Sequence, residues 1–301
     1  MKWFHTAAMS LSLLVISGCA SITGNNDTKW LYPPMAVPLQ AGLQQEVQIA
    51  RLTQLLQRAD LADDLRAEMF YKRGSYYDSV GLKDLARLDY DQSLSLNPEQ
   101  PELFNLLGVY YTQVGEFDAA YDAFDSALEL DPDNSYALRN RAVALYYGDR
   151  LHLAMEDITQ HYEEDPSDPF RALWRYIIQS KQQPEQARAE LLESYQHRDE
   201  QWGWLLVAIS LNQVSEEQVF NAILQGTPDN TLLAQRLTEA YFYLAKRYQQ
   251  EGDYAQALSL YKLVLSFNMF DYVEHRYALL ELGRIYHTVR EERKAEQQAA
   301  N

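Results

Sequence analysis

Cys19 is the one side chain whose type and placement point to covalent chemistry. It is the single cysteine in 301 residues, so an internal disulfide is ruled out. As a thiolate it can be alkylated where no neighbouring side chain can. The stretch ahead of it, Ala7 to Ser17, carries no charge, and Lys2 is the only cation before that stretch. Elsewhere the residue types do not assemble into a reaction centre. The histidines stand at 5, 152, 161, 197, 275 and 287, with no pair at metal-ligand spacing and no HExxH. There is no GxSxG, no phosphate loop and no dinucleotide fingerprint. Asp and Glu number 43, but a general acid needs a neighbour and a desolvated pocket, and number alone supplies neither. Glu274 and His275 read as a surface pair on the last helix. The chain is therefore expected to be no enzyme, with no catalytic residue, no metal site and no cofactor.

Residues 1–18 have the layout of a secretory signal peptide, too short to remain as a membrane-spanning helix. Their end, Ile16-Ser17-Gly18-Cys19, resembles the lipobox of bacterial exported lipoproteins. That resemblance implies a diacylglycerol on the Cys19 thiol, cleavage before Cys19 and acylation, by palmitate for example, of the new amino group. Three acyl chains exceed what stable anchoring needs. Ala20 stands where an aspartate would resemble the inner-membrane retention signal. The expected address is the periplasmic face of the outer membrane. Residues 19–42, polar and proline-bearing, read as a flexible tether.

The formal charge is −17, and removing residues 1–18 takes away Lys2 and no acid. So acidic a body is repelled by phosphate backbones, which disfavours nucleic acid as a partner. With 47% hydrophobic residues and 22 tyrosines the chain has the material for a continuous core.

The elements that would carry a binding surface are announced by an internal period. Pro98, Pro132 and Pro166 are 34 residues apart, each after Asn or Asp. In the same phase stand Ala86, Ala120 and Ala154, then Gly74, Gly108 and Ala142, then Tyr77, Tyr111 and Leu145. Phe70, Phe104 and Leu138 form another row, and Tyr90, Phe124 and Ile158 a further one. Within a unit these fall on one helix face, with small residues where two axes come close. Proline disfavours helix in the residue before it, so each unit stops at the same place. The blocks 71–81, 104–132 and 138–158 resemble tetratricopeptide repeats, a helix-turn-helix family of this period. The expected repeats are 67–100, 101–134 and 135–168, with a fourth unit at 238–271. In that family the first helix of each unit lines a concave groove. The repeat phase then nominates Tyr71, Ser75 and Asp78, next Asn105, Val109 and Thr112, and last Arg139, Val143 and Tyr146 as groove residues. These depart from the Lys/Asn ring with which some members of the family clamp a peptide carboxylate, so no such recognition is expected.

The expected fold is all-α: one helical solenoid over 43–290 with capping helices, and a frayed polar tail over 291–301. The helix near 44–58 places Val47, Ala50 and Leu55 on one side and reads as a cap or as a contact with a second copy. Asp60 or Asp63 is expected to cap the next helix, and Ser215 to cap a helix from 216. Trp202 and Trp204 read as packing residues.

Blocks outside the repeat consensus, among them DPFRALW (168–174), EQWGW (200–204) and VEHRYALLEL (273–282), resemble the NlpI-type envelope lipoproteins. The resemblance implies a homodimeric adaptor without catalysis of its own. It implies docking of a Prc-like tail-specific protease and presentation of a MepS-like peptidoglycan endopeptidase for degradation. Other murein enzymes would be held too, so cell-wall growth and division would be regulated. The alternative is a chaperone-like lipoprotein that assists outer-membrane protein assembly.

Overall fold

Three hairpins of near-identical register form the first half of the body. In the computed structural model, residues 33–299 are described; Cys19, the signal segment and 19–32 of the expected tether lie outside them. The hairpins are α2 (Asp63–Ser79) with α3 (Lys83–Leu96), α4 (Pro101–Val114) with α5 (Phe117–Leu130), and α6 (Ser135–Tyr147) with α7 (Leu151–Glu164), preceded by α1 (Leu43–Leu56). Helices α3, α5 and α7 begin and end at 34-residue intervals, and each stops just before its Asn/Asp-Pro step. Turns between the paired helices use the left-handed region at Gly81 (φ 82°), Gly115 (φ 81°) and, 34 residues on, Asp149 (φ 58°). Gly74 and Gly108 serve close approach: a Cβ there would lie 2.6 Å from the Tyr90 ring and 2.5 Å from the Phe124 ring.

The second half keeps the helical-hairpin habit with less regularity. It comprises α8 (Pro169–Gln179), α9 (Pro184–Gln196), α10 (Gly203–Ser210), α11 (Glu216–Gly226), α12 (Asn230–Gln250), α13 (Tyr254–Ser266) and α14 (Val273–Ala299). Among the described residues every regular element is a helix, an all-α tetratricopeptide-type solenoid. No described helix is long and apolar enough to cross a membrane. Ser215 closes a capping box on α11, accepting from the Gln218 N–H at 3.2 Å while its own N–H donates to Gln218 Oε1 at 2.8 Å. Helix α2 instead starts from Ala62 without a side-chain cap, and Asp63 lies inside its first turn.

Three boundaries differ from the sequence reading. Residues 34–40, expected within the flexible tether, lie docked along α12 and α13. Tyr241 donates its hydroxyl to the Pro34 carbonyl at 2.6 Å, and Asn230 brackets Val37, accepting from its N–H at 2.7 Å and donating to its carbonyl at 2.9 Å. The Leu39 N–H donates to the Phe267 carbonyl at 3.1 Å, and Asn268 Nδ2 donates to the Leu39 carbonyl at 2.9 Å. Side-chain amides thus satisfy an extended backbone that proline already stiffens. Helix α12 begins at Asn230, about two turns ahead of the expected unit 238–271. Residues 291–299 are no frayed tail but continue α14, whose run of Glu, Arg, Lys and Gln consists of good helix formers on an exposed helix.

Candidate functional site

The nominated groove residues lie on α2, α4 and α6 as expected, but most of that surface is closed. Val109, Thr112, Val143 and Tyr146 are buried, the first at 6% exposure and the others at 2% or less. Tyr71 packs into the core beside Tyr90, ring centroids 6.5 Å apart, and Ser75 turns its hydroxyl onto the Tyr71 carbonyl at 3.0 Å. Asp78 is taken by Arg276 of α14, at 2.7 Å. Val109, Thr112, Val143 and Tyr146 are therefore closed to a peptide, while Tyr71, Ser75 and Asp78 are half-buried and engaged by the chain's own groups. Asn105 and Arg139 stay half-buried, with Asn140 donating to Asn105 Oδ1 at 2.9 Å.

What fills the inner face is the chain's own α14. It packs on α4, α12 and α13 and reaches α2 through Arg276 and α6 through Tyr277, Glu281 and Arg284. Tyr277 lies 5.3 Å from the Tyr147 ring. Glu281, fully buried, accepts from the Tyr147 hydroxyl at 2.8 Å and from Gln249 Nε2 at 3.0 Å, and pairs with Lys246. Lys246 also donates to the Tyr146 hydroxyl at 3.0 Å, and Arg284 Nη1 donates to the Tyr147 carbonyl at 2.9 Å. Burial alone would raise the Glu281 carboxyl; the ammonium beside it and its hydrogen-bond donors hold it below the usual range. The same pairing keeps Lys246 above its ordinary value against desolvation. The charged atoms of Lys246 and Glu281 both have partners, as a buried ion pair requires.

One part of the inner face stays open. A cleft of about 350 Å³ lies where the N-terminal ends of α6, α8 and α14 meet the middle of α12. Its walls are aromatic, with Tyr136, Phe170, Trp174, Tyr243 and Tyr272, and it holds Arg139, Glu239 and Glu274. The Arg139 guanidinium lies over the Tyr136 ring at 5.4 Å and donates to Asn140 Oδ1 at 3.0 and 3.2 Å. Glu239 accepts from Trp202 Nε1 at 2.6 Å and from Arg236 at 3.3 Å. Glu274 accepts from the Tyr243 hydroxyl at 2.9 Å. Burial and the facing Glu274 push Glu239 up to about 7, and burial likewise raises Glu274. At the rim, burial and the nearby Arg171 and Arg139 drop His161 to about 4, so it is neutral at physiological pH. A larger hollow of about 790 Å³, lined by residues of α7, α8 and α9, holds the ion pair of Arg175 with Glu190.

The sequence reading missed Glu239 and misplaced Glu274 and His275. Glu274 is 5% exposed, and His275 sits edge-on to the Phe270 ring at 4.9 Å, burial taking it down to about 4. A signal was present: Glu239 and Lys246 on α12, and Glu274 and Glu281 on α14, are each seven residues apart inside apolar windows. Charged groups on the apolar phase of a helix indicate a buried polar contact. Among the described residues no group of three or more His, Cys, Asp or Glu is placed to hold a metal ion.

Two tetratricopeptide-repeat family models match the chain, over 67–100 and 101–134. Among solved structures the chain is similar to YrrB, described as a tetratricopeptide protein with an unusual peptide-binding site, at 14% identity over 76% of this chain and 96% of that one, TM-score 0.39. It is similar to MamA at 16% identity over 66% and 90%, TM-score 0.39. It is also similar to yeast Tom70 at 15% identity over 82% and 60%, TM-score 0.40.

Proposed function

We propose that this chain is a non-catalytic adaptor that holds folded proteins together in the bacterial envelope. Tetratricopeptide repeats are protein-interaction modules as a rule, and the observation that carries the reading further is the sealed inner face. With α14 lodged against α2, α4 and α6, the chain's own helix occupies, among the described residues, the inner face where an unfolded chain would lie. Partners instead meet an outer surface and the residual cleft. This favours the specific adaptor over the chaperone-like alternative.

The finer reading follows the likeness to NlpI-type lipoproteins. Cys19 carries the lipid anchor, and the body stands at the periplasmic face of the outer membrane. It docks a Prc-like tail-specific protease and presents a MepS-like endopeptidase, together with other murein enzymes. Two proteins held on one scaffold meet at high effective concentration, which is the physical gain of such an adaptor. A homodimer fits the exposed apolar residues at the two chain ends: Leu43 and Val47 on α1, at 76% and 51% exposure, and Leu279 and Tyr286 on α14, at 59% and 55%.

A pull-down from envelope extract with residues 20–301 as bait, with light scattering on the same protein, tests the reading. Recovery of a periplasmic protease and a murein hydrolase at fixed stoichiometry, and a dimer mass that falls to monomer in L43E/V47E, are expected. Recovery of mainly unfolded outer-membrane chains would sink the adaptor in favour of an assembly module.

A further inference from the structure

Helices α12 and α14 run side by side in the same sense, and their polar residues meet at two levels one heptad apart. At the inner level Lys246 neutralises Glu281. At the outer level the same register brings Glu239 against Glu274, so two carboxylates stand where the inner level has one of each sign. The donors to them are the Trp202 indole, the Tyr243 hydroxyl and, at 3.3 Å, Arg236. Two buried carboxylates against one cation are under-neutralised. This level, unlike the inner one, opens into the aromatic-walled cleft.

We propose that the Glu239–Glu274 pair is the receiving end of a docking pocket for a basic side chain, lysine or arginine, presented by a partner polypeptide. The incoming cation takes at the outer level the part that Lys246 plays at the inner one. Charge sets the choice of a cation. Around the pair, Arg171 on α8 is held by Glu164 at 2.9 Å and lies 3.7 Å from Asp168. Asp271, ahead of α14, has only Arg276 at 3.8 Å. His161 on α7 is neutral, which leaves Arg139 on α6 as the one further cation facing Glu274. With the cleft-lining acids ionised, Glu239, Glu274, Asp168 and Asp271 outnumber Arg139, Arg171 and the Arg236 bonded to Glu239 by one. Trp174, Tyr243 and Tyr272 line the cleft that the cation enters, where an aromatic π-system can attract it. Arg139, at 5.4 Å over Tyr136 and with no carboxylate in ion-pair range, is free to donate to a main-chain carbonyl of the same partner. The overall charge of −17 draws a basic partner surface from a distance.

The inference rests on the protein-docking reading but is tested without any particular partner. Trp202, whose indole N–H is bonded to Glu239, supplies the reporter. In ¹⁵N-labelled residues 20–301, titration with N-acetyl-lysine methylamide and N-acetyl-arginine methylamide is expected to move the Trp202 indole signal saturably. N-acetyl-norleucine methylamide, of similar length without charge, binds about tenfold more weakly or not at all. The shift is stronger at pH 8 than at pH 6, because Glu239, held up to about 7, is then ionised. The shape-conserving variant E239Q/E274Q, with the rest of the spectrum unchanged, loses the response. Equal shifts with norleucine, or an undiminished lysine response in that variant, would overturn the inference. A flat titration overturns it as well, and it leaves the pull-down with residues 20–301 to stand or fall on its own.

Discussion

The two levels of the α12–α14 contact share one geometry and differ in one charge. Where Lys246 faces Glu281, the inner face is sealed and every polar atom of the pair has a partner. Where Glu239 faces Glu274, seven residues nearer the N-termini of both side chains' registers, the face gapes into a cleft. The difference separates what holds this solenoid shut from what it can still bind. A buried carboxylate matched by a cation of its own chain fixes a helix in place. Two buried carboxylates set against each other, as Glu239 and Glu274 are with Arg236 bonded to Glu239, store a demand that a partner can meet.

Breaking the sealed level should have the largest effect. Glu281→Ala leaves the Lys246 ammonium buried with only hydroxyl and ring neighbours, and it strips Tyr147 and Gln249 of their acceptor. A loss of about 3–5 kcal/mol is expected, read as a lower urea midpoint. Replacing both members, K246M/E281M, is expected to recover most of it, because no charge is then left unpaired. If Glu281→Ala is as stable as the parent, α14 is not held by this pair.

The open level should respond with the opposite sign. Glu239 holds its proton in the folded chain up to about 7, whereas in the unfolded chain it is released at ordinary carboxylate pH. The folded state therefore binds more protons between about pH 4.5 and 7, and stability falls across that window as pH rises. Glu239→Gln removes the titration while keeping an acceptor for Trp202. The variant should match the parent near pH 5 and exceed it at pH 8 by on the order of 2 kcal/mol. Denaturant melts at the two pH values decide the matter: a difference that does not grow with pH means the two carboxylates are not forced together.

Much of the fold was legible because its signals are local. The 34-residue rows set the start and stop of α3, α5 and α7, and the glycine phase marked the turns so firmly that Asp149 takes up the same left-handed position. The nine groove residues were placed on the right helices by the same phase. That four of them are buried and that Asp78 is taken by Arg276 was not legible, because α14 comes back from more than a hundred residues away and leaves no mark on the periodicity of α2, α4 or α6. The docking of 34–40 was hidden for a related reason. Its proline-bearing composition is equally that of a linker, and only Asn230, Tyr241 and Asn268, far along the chain, turn it into packed structure. Glu239 and Glu274 left a readable trace in their apolar windows, whereas their mutual facing depends on the register of two helices, which sequence alone does not set.

The smallest effect sharpens the comparison most, because it contrasts two residues one turn apart on α6. Val143 is wholly buried on the sealed side, while Arg139 lines the cleft and makes only amide and ring contacts. Val143→Ala removes two buried methyl groups and should cost about 1–2 kcal/mol. Arg139→Ala gives up one cation–π contact at the surface and an amide hydrogen bond. Its cost should stay near 0.5 kcal/mol, within reach of error in a urea midpoint. Loss of partner capture, by contrast, should follow Arg139→Ala and spare Val143→Ala. A ranking by stability that runs opposite to the ranking by binding would locate docking in the cleft, since a helix with one uniform role would move both measurements together.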